Sequence, residues 1–78
     1  MKVKKEKEKE VLVFKTDTPL DTDLSYVSEG LESVDGIVNW NFDLEDRDRI
    51  FRAVVINVEP ERIISKLQGV GIWAEELI

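Results

Sequence analysis

Between residues 38 and 44 apolar and polar side chains alternate without a break. Val38, Trp40, Phe42 and Leu44 form one set, and Asn39, Asn41 and Asp43 form the other. A period of two sends the sets to opposite faces of an extended chain, which predicts a half-buried strand with the apolar set inward. Glu45, Asp46, Arg47, Asp48 and Arg49 follow. Five consecutive charges resist burial and predict a turn. Residues 50–55, rich in β-branched and aromatic side chains, predict a second strand. The chain is therefore organised around a central hairpin.

The flanking segments complete the pattern. Val11, Leu12, Val13 and Phe14 are a short apolar run bounded by charge, read as a buried strand. Pro19 stops it, and Asp21, Thr22 and Asp23 are each suited to cap a helix. Leu24, Val27, Leu31 and Val34 recur at spacings of three and four, one helical stripe. Gly30 inside that stripe costs about 1 kcal/mol relative to Ala, so close packing against a strand is expected to explain it. Gly36 suits the left-handed residue after the last turn. Pro60 fits a first helical position, and Ile63, Ile64 and Leu67 form a second stripe ended by Gly69 and Gly71. Residues 72–77 predict a last strand. The order is β-α-β-β-α-β, and residues 34–40 loosely repeat as residues 67–73. Two split βαβ halves predict an α+β, ferredoxin-like sandwich. In it a four-stranded antiparallel sheet of order 4-1-3-2 carries both helices on one face.

Size and charge narrow the function classes. Seventy-eight residues allow one domain, and a chain that small buries only roughly 60% of its unfolded surface. The 42% hydrophobic and 36% charged composition fits a folded soluble chain. No apolar run approaches the ~20 residues that span a bilayer, so no membrane partner is expected. No apolar segment follows the Lys-rich start, so a secretory leader is not expected either. The absence of Cys excludes disulfides and thiolate chemistry, and the expected location is cytoplasmic. Residues 1–10 carry five Lys and three Glu, whereas residues 11–78 carry six basic and fourteen acidic side chains. The first ten residues are expected to be a charged, flexible leader, and residues 11–78 the domain. A body that acidic repels phosphate backbones, which argues against nucleic acid.

With its elements in this order the chain resembles the heavy-metal-associated (HMA) domain of copper chaperones and metal-transporting ATPases, over about residues 11–77. The resemblance is carried by Leu31-Glu32-Ser33-Val34-Asp35-Gly36-Ile37, similar to the family's Leu-x-x-Leu-Pro-Gly-Val helix end. It is also carried by Val58-Glu59-Pro60-Glu61-Arg62-Ile63-Ile64 and by Gly71-Ile72-Trp73-Ala74, similar to Gly-Ile-x-Ala. The family's chemistry rests on Gly-Met-x-Cys-x-x-Cys between first strand and first helix. Counted back from Gly36 without a gap, these positions fall on residues 17–23, with Leu20 and Asp23 at the two cysteines. Neither supplies a thiolate, and the resemblance implies the fold with its soft-metal motif lost.

The remaining chemistry is sparse. Asp17, Asp21 and Asp23 are weak hard-cation candidates through oxygen donors, against the plainer reading that one caps the helix and the others are solvated. The acids of the hairpin, Asp43, Glu45, Asp46 and Asp48, read as a solvated tip partly neutralised by Arg47 and Arg49. With no His or Cys the serines lack a base and a thiol nucleophile is missing, so an enzyme is not expected and no cofactor is implied. The helix-free sheet face carries the functional idea. The alternation puts Val11, Val13, Ile50, Arg52, Val54, Trp73 and Glu75 there, with Trp73, Val13 and Ile50 or Val54 side by side. These predict a contact surface of Val13, Ile50, Val54 and Trp73 for a protein partner or a homodimer. The alternative is a metal-ion binding or transport accessory protein that uses carboxylates or a site shared with another chain.

Overall fold

The computed structural model of the chain describes residues 8–78. Residues 1–7, most of the leader expected from the sequence, lie outside the described residues. The elements run β1 (Glu10–Thr16), α1 (Ser25–Leu31), β2 (Ile37–Asp43), β3 (Ile50–Val55), α2 (Pro60–Gly69) and β4 (Ala74–Glu76). They form one four-stranded sheet of order β2-β3-β1-β4, every pair antiparallel. Read from the other edge this is the expected 4-1-3-2. β1 opens at Glu10, which pairs with Val55, one residue before the expected domain boundary.

The registers sort the side chains by face, because residues opposite one another in a ladder point the same way. Leu12 faces Ala53, Phe14 faces Phe51 and Thr16 faces Ala74, all on the covered side. There they meet Val27 and Leu31 of α1 and Ile63 and Leu67 of α2 in a single buried cluster. Phe51 is its centre: its ring lies 4.9 Å from that of Phe42, 5.7 Å from Trp40 and 6.0 Å from Phe14. Such tilted pairs add about 1 kcal/mol each beyond area burial. Trp40 and Phe42 thus fasten β2 to the core as their alternation predicts.

The alternation fails at its ends. Val38, expected inward with Trp40, is 48% exposed. Between Ile37, opposite Val55, and Asn39, opposite Val54, β2 holds one residue more than β3. The extra residue is a β-bulge, so Ile37 packs on the core and Val38 is displaced. Leu44 lies beyond the strand, half-buried, and its carbonyl accepts a hydrogen bond from the Arg49 guanidinium. In the hairpin the Asp46 carbonyl and carboxylate accept the amides of Arg49 (2.9 Å) and Asp48 (2.8 Å), and Arg49 takes a left-handed φ of 46°.

The helical stripe of the first half is longer than its helix. α1 ends at Leu31, and Val34 is buried from the turn that follows. Gly30 packs towards the second helix and not a strand: a methyl there would meet Val70 Cγ1 at 3.5 Å, ordinary contact. Gly36 does take positive φ (104°), and a Cβ there would meet the Ile56 carbonyl oxygen at 2.5 Å and Val58 Cγ2 at 2.7 Å. Of the two glycines expected to end the second stripe, Gly69 is still helical and Gly71, with φ of 87°, has left-handed backbone. The Gly71 and Ile72 amides close the end on the carbonyls of Gln68 and Leu67. β4 is shorter than expected because Ile72 is still part of that closure.

Candidate functional site

The loop between β1 and α1 is built on two buried threonines. Thr16 Oγ1 donates to the Arg49 carbonyl (2.7 Å) and accepts the Thr18 amide (3.2 Å). Its one proton is thereby used, so in the 2.7 Å contact with Thr18 Oγ1 the Thr18 hydroxyl donates. Thr18, at the position where the resemblance puts Met, is 1% exposed. Asp17 then ties the loop to the approach to β4: its amide donates to the Trp73 carbonyl (3.3 Å), and its Oδ1 accepts the Trp73 amide (2.9 Å).

The two cysteine-equivalent positions do unrelated things. Leu20 is 58% exposed in a turn closed by the Thr22 amide on the Pro19 carbonyl. Asp23 Oδ1 accepts the Ser25 amide (3.0 Å) and hydroxyl (2.8 Å), an Asx turn that leads into α1 one residue before its N-cap, Leu24. The backbone bond, then the side-chain bond, holds the Asp23 carboxyl below its ordinary range. Among the described residues no three His, Cys, Asp or Glu side chains gather where they could hold a metal ion. Asp17, Asp21 and Asp23 are thus not brought together: Asp17 faces β4, Asp23 faces α1, and Asp21 is exposed in the turn between them. The whole sequence contains no Cys and no His. Copper(I) and zinc favour sulfur and imidazole donors, so this loop does not fit a soft ion.

The open sheet face divides the four residues expected to form one surface. Val11 pairs with Val54, and Val13 with Arg52, so Val13 and Val54 sit in adjoining rows. Trp73 lies across from Asp17, four residues further along β1, with the Lys15–Glu75 pair in between. It is 47% exposed but does not adjoin Val13. Ile50 lies opposite Asp43 on this face and is only 5% exposed, the one buried hydrophobic side chain among the described residues that lies outside the core cluster. It is covered and offers little contact area, a correction to the expected surface. The contiguous patch that takes shape is Val11, Val13, Val54 and Leu77. The Leu77 amide donates to the Val13 carbonyl (2.8 Å), so the ladder continues past Glu76 and places an exposed Leu77 beside Val13. Leu77 shares its parity with Trp73 and Glu75, and that parity was the signal for it in the sequence. Among the described residues no helix is long and apolar enough to cross a membrane.

No family model matches the chain, and no curated protein matches it significantly. Solved structures do. The copper(I)-loaded first domain of the human copper chaperone for superoxide dismutase superposes with a TM-score of 0.66 at 20% identity, over 85% of this chain and 89% of that one. The apo HMA domain of a copper chaperone for superoxide dismutase gives 0.66 at 17% identity, over 100% of this chain and 76% of that one. The fold is that of HMA domains, as the sequence resemblance implied, in a chain without the two cysteines.

Proposed function

We propose that this chain is a non-catalytic HMA-fold module that works by contact with another polypeptide through its open sheet face and carries no soft metal. One observation supports the contact reading most: the face left free of helices bears Val11, Leu77 and Trp73 as exposed large apolar side chains. Apolar side chains gathered on one face of a small domain are typical of interaction surfaces, and Trp is enriched among their anchors. The donor set speaks for the second half, since Leu20 is apolar and the Asp23 carboxylate is engaged by Ser25. The rival reading, a carboxylate or shared-chain metal accessory, has no such support, because two of its three aspartates already accept amide hydrogens elsewhere.

Light scattering after size exclusion, with amide NMR spectra over a concentration series, tests the contact. Association or added partner should shift residues 11–13, 54 and 73–77, and Trp73→Ala together with Val11→Lys should abolish the response. Shifts confined to the loop of residues 17–23 on adding copper(I) or zinc, with tight binding by the isolated chain, would overturn the reading.

A further inference from the structure

The two edges of the sheet are unlike. β4 is three residues long and two of them are Glu, a short, charged edge of the kind that discourages further pairing. β2 has seven residues and a neighbour on one side only. Exposed edges usually carry Lys, Pro or an inward charge that discourages further pairing. Ile37, Val38, Asn39, Trp40, Asn41 and Phe42 include none of these, and four of the six are β-branched or aromatic residues that favour strands. The bulge at Val38 lies at the start of the strand, and residues 39–43 keep a regular register. Alongside this edge runs a depression of ≈ 390 Å³ between α1 and β2, lined by Leu31, Ile37 and Trp40 together with polar Ser28, Glu32 and Asn39. A free edge beside a slot of mixed polarity is the geometry of strand addition, in which main-chain hydrogen bonds hold the added strand and alternate side chains enter the slot.

Charge selects the occupant. From residue 25 to residue 46 the sequence has six acidic side chains and no basic one. That stretch supplies α1 and β2, which border the free edge, with Arg52 of β3 opposite Asn41. A second copy would set this acidity against itself, whereas a basic strand is attracted and oriented by it. We propose that the β2 edge is a strand-addition site for an extended basic segment of a partner protein. Apolar side chains at alternate positions enter the slot between α1 and β2, with Lys or Arg between them. This surface is separate from the open sheet face and does not depend on it.

The test titrates the isotope-labelled chain with an end-capped seven-residue peptide that alternates lysine with valine and isoleucine. Saturable amide shifts are expected along Ile37–Asp43. Methylating alternate backbone nitrogens of the peptide keeps its charge and side chains but blocks pairing, and should abolish those shifts. Glu32→Lys with Asp35→Lys, both exposed positions, should weaken binding at least about tenfold, and Trp73→Ala should leave it unchanged. Equal binding by the methylated peptide, or by one with glutamate for lysine, would overturn the proposal. So would concentration-dependent β2 shifts without any peptide, which would assign the edge to a second copy.

Discussion

The halves β1-α1-β2 and β3-α2-β4 trace the same path with different material. α2 has ten residues, begins at Pro60, and carries Glu61 in its first turn and Lys66 in its last. Each choice favours a helix where it stands, through the proline's fixed φ and through charges that complement the helix dipole. α1 has seven residues, among them two Ser, a Tyr, a Val and a Gly, and no complementary charge at either end. A segment that short and that poor in helix formers does not persist alone. It is held by the burial of Val27 and Leu31 and by the Asp23–Ser25 turn at its entry. One topology is thus secured by local preference in one half and by tertiary packing in the other. The helix ends repeat the contrast, since Gly36 is enclosed by Ile56 and Val58 while a Cβ on Gly71 would meet nothing within 4 Å.

Substitutions that equalise the halves should have unequal effects. Gly36→Ala combines positive-φ strain with an overlap against backbone, and should cost about 3 kcal/mol in chemical denaturation. Gly71→Ala carries the strain alone and should cost about 1 kcal/mol; equal losses at the two glycines would erase the distinction. Gly30→Ala should do the reverse and stabilise the protein by up to about 1 kcal/mol, because a methyl fits against Val70 and the helix gains a better former. Hydrogen exchange should release the amides of α1 before those of α2, and simultaneous release would show that α1 is not the weaker element.

The smallest expected effect depends on pH. The folded Asp23 carboxyl sits below its ordinary value of 3.8, so its stabilising contribution is full above that value and is lost as pH falls through the depressed one. The stability gap between the parent chain and Asp23→Ala should therefore narrow on acidification below that range. A gap independent of pH would mean that the ionised form does not contribute to the Asp23–Ser25 turn.

The parts of the fold written in local patterns were legible beforehand. Trp40 and Phe42 alternate, Ile63 and Leu67 share a stripe, and Pro60 marks a helix start; each signal is a property of neighbours in the chain. What could not be read depends on partners distant in sequence. The bulge that turns Val38 out arises from the count of residues opposite β3. The separation of Trp73 from Val13 depends on the register of β4 against β1, which periodicity leaves open. Ile50 has the right parity for the open face, but its burial is not encoded in its own segment. In the first loop the loss of thiolates was plain from residue types. The engagement of Asp17 with Trp73, fifty-six residues away, was not.

The Thr16 hydroxyl has one proton and two lone pairs, and all three are committed. An oxygen with no spare valence leaves water nothing to bind there, so this one hydroxyl bolts the first loop to the tip of the central hairpin. Valine in its place would match the outline of the side chain while removing the bolt, and would leave the Thr16 amide on the Asp48 carbonyl (3.1 Å) as the backbone tie between the two.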